Sequence, residues 1–503
     1  MAAFTLLLSI VAGTALRFLF LARKPFWFEE AYSVEVARLD WSNFLHLLWA
    51  REANMSLYYV LLHGWLSLGR GLGQSEFFIR SLSVVAAVAT LPALYWLARL
   101  LFNRRVGLIA VALLSFNAYH VRYAQEARSY ALFVLLTTLS GAFFAASLQE
   151  PSRRNRMGYI PATILAVYAH FYALLLVAAE WLALRLRKGA RATEVSAGNT
   201  SAVPPRMPQA WIWIGISVLP LLVIVGKTGA GPIRWIQRPG LRDLLDYYEH
   251  MAGNGGLFLL GLYAAACAAA IAPVRKRLHA RAENAEWETW RYQFLLLWLL
   301  FPMGITVLLS FARPVFLARY LVFCLPAFVV LAAVGLARLR NGWLLAAGLG
   351  VMLLLSLRGT LAYYDHDFDL VRDGAGDATD YVLDHTQAGD VIVFHIAETR
   401  AAYEFYRSLR SGADSAPGIG PEIIYPNHGG GLDYRDFTGK FTGEFLSSLS
   451  GHYARVWVVL MNNGTASEPD PTTVSLTQIL GGSFPQMQRA EFPQVQVRLY
   501  SMR

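Results

Sequence analysis

The chain has 503 residues, of which 56% are hydrophobic and only 16% charged, a composition too apolar for a water-soluble protein of this length. The apolar residues fall in blocks of about 17 to 25, enough to cross ~30 Å of hydrocarbon, which predicts a helical membrane bundle and excludes a β-barrel. The formal charge of +10 does not indicate nucleic acid, because the basic residues sit in short loops between apolar blocks rather than along one soluble face.

The first block, Ala3 to Ala22, lacks a basic leader and runs on through Phe18-Leu19-Phe20-Leu21, so it reads as an uncleaved first helix. A polar stretch from Phe28 to Asn54 follows. Next comes an apolar block from Leu57 to Leu68 that would be only ~18 Å long as a helix, too short to cross. It suits an amphipathic helix in the interface, with Tyr58, Tyr59 and Trp65 at headgroup level. The remaining spans are predicted at 77–102, 106–122, 129–148, a hairpin 158–186, 210–226, 256–273, 292–311, 320–338 and 342–357, about eleven with the first helix. An inside N-terminus then places Arg104-Arg105, Arg153-Arg154, Arg185 to Lys188, Arg275 to Arg277 and Arg338 to Arg340 on the cytoplasmic side. Arg23-Lys24 opposes this scheme. Counting Leu57 to Leu68 as a span would put Glu29 and Glu126 on opposite faces, and the length of that block favours eleven.

The hairpin has about 30 residues where ~40 are usual for two crossings, so its turn, Tyr168 to Tyr172, should lie below the membrane surface. Irregular backbone at that depth survives only inside protein or beside a wet cavity. His170 is therefore either a candidate for binding substrate or a core histidine. The stretch from Gly189 to Pro208 reads as a mobile cytoplasmic loop. Cys267 and Cys324 both fall in apolar blocks and imply no disulfide framework. The domain division is 1–357 for the membrane part, whose first extracytoplasmic loop at 23–76 is expected to carry interfacial helices, and 358–503 for a soluble α/β domain that the odd span count places outside. In that domain helices are expected at Asp377 to Asp384 and Arg400 to Ser411, and strands at Asp390 to Phe394 and Val456 to Leu460. It carries no Gly-rich phosphate fingerprint and no metal-ligand cluster.

Three predicted extracytoplasmic stretches concentrate charge: Glu29-Glu30, Gln125-Glu126-Ala127-Arg128-Ser129-Tyr130, and Arg313 through Arg319-Tyr320. Ionisable groups beside a bilayer are costly unless they are solvated or paired. Acids with several arginines suit transfer of a group from a lipid-linked phosphate to a hydroxyl: a carboxylate takes the proton and guanidinium forks neutralise the departing phosphate. The competing reading is a set of helix-end ion pairs and snorkelling arginines.

The order Glu29-Glu30-Ala31-Tyr32-Ser33, Leu57-Tyr58-Tyr59, Ser75 to Ser83, Tyr123 to Tyr130, and the late Arg319-Tyr320 with Pro326 resembles the GT-C glycosyltransferases. The similar branch holds the protein O-mannosyltransferases and the lipid A aminoarabinose transferases. The resemblance implies an α-helical polytopic membrane protein with a C-terminal extracytoplasmic α/β domain. It implies an inverting glycosyltransferase that takes a hexosyl or pentosyl unit from a polyprenyl-phosphate donor to an extracytoplasmic protein, lipid or glycan acceptor. A prokaryotic plasma membrane is the expected location.

Residue by residue, the resemblance gives Glu29 the place of the family's catalytic Asp, Glu30 that of the Glu beside it, and Glu126 that of the second acid. Tyr58 and Tyr59 match the interfacial helix, and with Arg128, His170, Arg313, Arg319 and Tyr320 they are the candidates for substrate binding. The chain departs from the pattern in its Glu-Glu pair, where Asp-Glu is usual, and at Ser56, where Pro is usual. Asn54 and Met55 replace a His or acidic position, so a divalent metal is an open question. A lipid or sugar transporter or flippase and a catalytically inactive scaffold are the alternatives, although no internal repeat favours a transporter.

Overall fold

The apolar blocks become helices wherever a capping residue and a run of Leu, Ala and Val allow them. The computed structural model describes residues 2–69, 75–195, 207–228, 236–277, 285–366, 374–411, 420–426, 431–437, 441–461 and 470–502. In chain order the helices of the first part are α1 (Ala2–Phe18), α2 (Phe28–Arg38), α3 (Trp41–Ala50), α4 (Ser56–Gly69), α5 (Glu76–Leu101), α6 (Arg104–Phe116), α7 (Ala118–Ala124) and α8 (Tyr130–Gln149). They continue with α9 (Arg153–Ala169), α10 (Ala173–Val195), α11 (Met207–Thr228), α12 (Leu241–Ala252), α13 (Leu257–Arg277), α14 (Ala285–Ala312), α15 (Leu325–Ala337, entered through a 3-10 turn at Ala318–Cys324) and α16 (Gly342–Asp365). The rest of the chain forms α17 (Ala375–His385), β1 (Val391–His395), α18 (Thr399–Ser411), β2 (Glu422–Tyr425), a 3-10 turn at Tyr434–Phe437, α19 (Gly443–His452), β3 (Arg455–Met461), α20 (Pro471–Ser483), β4 (Gln486–Phe492) and β5 (Val495–Ser501).

These elements fall into two compact units. One comprises Met1–Leu21, Ala53–Tyr58 and Arg80–His366, and the other Ala22–Glu52, Tyr59–Ile79 and Asp367–Arg503.

Among the described residues of the first unit and its flanks, six helices are long and apolar enough to cross a membrane: α5, α8, α11, α14, the 3-10 turn with α15, and α16. The count is eight if the bent pairs α6/α7 and α12/α13 are each one span. The other three of the eleven expected spans are helical but do not meet that standard. Helix α1 has 17 residues, and the hairpin arms carry arginines, α9 in its first turns and α10 in its second half. Helix α10 also runs to Val195, so the front of the stretch read as a loop from Gly189 is helical, and 196–206 lies outside the described residues. Close approach shapes this unit at two glycines. Gly253 ends α12 at φ +103°, and a Cβ on Gly359 of α16 would lie 2.2 Å from the Gly253 carbonyl oxygen.

The bends carry the design of this unit. Helix α6 gives way at Asn117 and the chain turns 63° into α7, freeing carbonyls at the C-terminal end of α6. The buried Arg17 guanidinium donates to Ser115 O and Leu114 O, both at 3.0 Å, to Gly13 O at 2.7 Å, and meets His120 Nδ1 at 2.6 Å. Asn117 caps α7 by accepting from His120 N at 3.0 Å, and its Nδ2 donates to Met251 O at 2.9 Å. One cation thus replaces the hydrogen bonds that a broken membrane helix loses.

In the second unit the strand order is β2-β1-β3-β5-β4, parallel from β2 through β3 and antiparallel from β3 to β4. The core joins Val391, Val393, Val456, Val458 and Leu460 to Leu476 and Leu480 of α20. Strand β1 is buried at every residue, which is why it reads as an unbroken apolar run. The first loop, in which helices were expected without bounds, contains α2 and α3 within the polar stretch from Phe28 to Asn54. Asp40 caps α3 by accepting from Ser42 N at 2.9 Å and Asn43 N at 3.2 Å.

Replacing Arg17 by Met would leave the α6 carbonyls buried without a donor, at about 1–3 kcal/mol for each group. R17M should lower the melting temperature in detergent by several degrees, and R17K should recover only part of the loss. Thermal unfolding followed by circular dichroism checks this.

Candidate functional site

The turn that joins α7 to α8 is held on three sides within the first unit. Gln125 Nε2 donates to Arg17 O at 3.0 Å and Leu19 O at 2.7 Å, at the end of α1. Ser83 Oγ donates to Arg128 O at 3.3 Å and is itself bonded to the Tyr58 hydroxyl at 2.9 Å. Arg128 N closes the turn on Glu126 O at 2.8 Å. Glu126 is 1% exposed, and its Oε1 accepts from Arg122 Nε at 3.0 Å one helical turn earlier.

The hairpin turn between α9 and α10 lies in the same unit. Asn54 Oδ1 accepts from Phe171 N at 3.0 Å and Ser56 Oγ donates to Tyr168 O at 3.5 Å, so the segment before α4 holds the turn. His170, 1% exposed, stacks on Phe133 with ring centres 5.0 Å apart, and Tyr320 and Tyr172 stand at 4.7 Å and 5.4 Å. Its Nδ1 accepts from Tyr172 N at 3.2 Å, which leaves the proton of the neutral ring on Nε2. That nitrogen is buried and has no hydrogen-bond partner among the described residues. The charges of Arg128 and Arg319 both act on the ring. Arg128 lies over Tyr130 at 6.0 Å and Arg319 over Tyr320 at 5.8 Å. The result is a cluster of donors walled by aromatic rings, drawn from positions 128, 170 and 319.

In the second unit Glu29 and Glu30 form the first turn of α2, where the helix dipole favours a carboxylate. Glu30 is fully buried and Glu29 half-buried. One turn on, the Tyr32 hydroxyl donates to Glu52 Oε1 at 2.8 Å, and the Tyr59 hydroxyl donates to Glu52 Oε2 at 3.3 Å. Burial, helped by the Glu52 charge, pushes the Tyr32 phenol well above its usual range and keeps it a donor. Arg51 pairs with Glu398 at the head of α18 and donates to the Phe437 carbonyl. Burial raises the Glu398 carboxyl above the usual carboxylate range, and the Arg51 guanidinium offsets part of that shift.

The structure therefore gathers Arg128, His170, Arg319 and Tyr320 in one cluster. Tyr58 supports the turn that carries Arg128, and Glu126 is held by Arg122. Glu29, Glu30 and Tyr59 belong to the other unit. Arg313 stands exposed one residue past α14. Among the described residues no three His, Cys, Asp or Glu side chains stand together as metal ligands would. Sequence reasoning missed Arg122, Glu52, Arg51 and Glu398. Only Arg122 had a local signal, its spacing of four from Glu126 on a helix.

No protein-family model matches the sequence, and no curated protein matches it. Solved structures do. ArnT from Cupriavidus metallidurans in the apo state is 13% identical with a TM-score of 0.63, over 99% of this chain and 98% of that one. The same protein bound to undecaprenyl phosphate is 13% identical with a TM-score of 0.61, over 98% and 97%. The archaeal oligosaccharyltransferase AglB from Archaeoglobus fulgidus, in complex with an inhibitory peptide and a dolichol-phosphate, is 11% identical with a TM-score of 0.53, over 91% and 69%. At such identities the likeness establishes the fold: this chain is an integral, multi-pass α-helical membrane protein of the GT-C type with a C-terminal α/β domain.

Proposed function

We propose that this protein is an inverting membrane glycosyltransferase that moves a sugar from a polyprenyl-phosphate carrier to a hydroxyl of an extracytoplasmic protein, lipid or glycan. The observation that carries the reading is the donor cluster of His170 Nε2–H with Arg128 and Arg319. An anion with several oxygens satisfies such a cluster, and a lipid phosphate is the anion a membrane supplies. Two structural neighbours are described with undecaprenyl phosphate and with a dolichol-phosphate, which supports the same donor class here.

In the proposed reaction the acceptor oxygen attacks the anomeric carbon from the side opposite the phosphate. The new C–O bond forms as the carbon–phosphate-oxygen bond breaks, the electron pair leaves with the lipid phosphate, and the acceptor proton passes to a carboxylate. Glu29 is the proposed base, since it is half-buried while Glu30 is fully enclosed. Glu126, neutralised by Arg122, is proposed to orient rather than to accept the proton. The catalytic loops and the α/β domain are proposed to face away from the cytoplasm of a prokaryotic cell.

The direct test offers purified full-length protein a panel of radiolabelled polyprenyl-phosphate sugars and measures release or transfer of the label. A panel from which none is consumed or bound rejects the enzyme reading in favour of a transporter or scaffold. E29Q should cut kcat by about 10²- to 10⁴-fold while donor binding persists. Near-normal turnover would remove Glu29 from the role of base. H170F keeps the ring stack on Phe133 but deletes the Nε2 donor, and should weaken undecaprenyl phosphate binding about ten-fold or more. Unchanged affinity by titration calorimetry would put the phosphate elsewhere.

A further inference from the structure

Helix α2 has 11 residues, and its N-cap, Trp27, supplies no side-chain hydrogen bond. A helix this short is marginal by itself, so its position is dictated by what it packs on. Its partner in the second unit is α18. Phe26 stacks on Phe405 with centres 5.1 Å apart, Arg38 lies over the same ring at 5.6 Å, and Tyr406 donates to the Phe26 carbonyl. Tyr32 meets the edge of Phe437 at 5.2 Å. The turn bearing Phe437 is fixed from below, because Asp436 accepts from the fully buried Arg400 of α18 at 2.5 Å.

The far end of the loop is tied to the same place. Arg51 pairs with Glu398 and donates to the Phe437 carbonyl, while the adjacent Glu52 takes the hydroxyls of Tyr32 and Tyr59. Glu52 thus joins α2 to α4, and Arg51 joins that knot to the α/β domain. Breaking the pair leaves a carboxylate that is 8% exposed without its cation.

We infer that the α/β domain is the positioning device for α2, with Arg51 and Glu398 as positioning residues that fix where the first-turn carboxylate Glu29 stands. The inference rests on the reading of Glu29 as the base. It gives a task to a domain with no recognisable chemistry of its own, and the chemistry that would depend on it is proton abstraction rather than donor binding.

Hydrogen–deuterium exchange on the full-length protein tests the geometry without any assay of activity. In E398Q, and separately in R51Q, amides of Phe28–Arg38 should exchange about ten-fold faster, while β1 and β3 keep their protection. Exchange unchanged in α2, or raised equally in the strands and α2 in both variants, overturns the inference. Turnover of a polyprenyl-phosphate sugar should fall by about 10²-fold in kcat with the donor KM unaltered, and R51K should recover part of it. Normal kcat in the presence of a loosened α2 also overturns the inference. Should E29Q turn over normally, the assignment of the base fails by itself, and the exchange result still decides whether the pair holds α2.

Discussion

Every backbone group inside a bilayer must find its hydrogen bond within the protein, and in this chain that constraint is met most expensively at the end of α6. An unbroken helix from Arg104 onward would satisfy itself. The break at Asn117 exposes carbonyls that water cannot reach, and Arg17 from α1 supplies the donors. The cost of burying a guanidinium is offset by four acceptors around it, Gly13 O, Leu114 O, Ser115 O and His120 Nδ1. The consequence reaches the next turn, because Gln125 hangs from the carbonyls of Arg17 and Leu19 and so sets the start of the segment that bears Glu126 and Arg128. A charged residue in an apolar helix, which looks like a liability in the sequence, makes an irregular and chemically useful stretch of backbone affordable.

The same logic explains the hairpin turn. Its backbone is held by Asn54 and Ser56, with His170 buried among aromatic rings, and its arms, α9 and α10, extend beyond the 158–186 expected from the apolar run. The charged stretches that bear Arg128 and Arg319 stood out in the sequence, but their meeting with His170 did not, since no periodicity links the three positions.

Up to eight of the eleven expected spans, the short helix at Ser56–Gly69 and the strands β1 and β3 were readable because each is governed by a local rule: apolar length, or a buried apolar run. Strand β4 was not, because it is a mostly exposed edge strand with polar residues on both faces, and β2 has only four residues. The bounds of α2 and α3 were hidden for a different reason. Their sequences are mixed in polarity because they pack within a unit built from distant segments, so neither the period of a surface helix nor the length of a span marks them. The Arg51–Glu398 pair, 347 positions apart by subtraction of their numbers, had no sequence signal at all.

Charge is divided in a way that the proposed chemistry requires. In the first unit Glu126 accepts from Arg122, while the charges of Arg128 and Arg319 both act on His170. In the second, Arg51, Arg38 and Arg400 are each engaged with acids of their own unit, namely Glu398, Glu35 and Asp436. The extra methylene of Glu29 over the usual Asp is then a question of where α2 stands. Because α2 is too short to set its own position, the answer lies in the residues that clamp it, and a shift of the helix by the length of one C–C bond would restore the reach of an Asp.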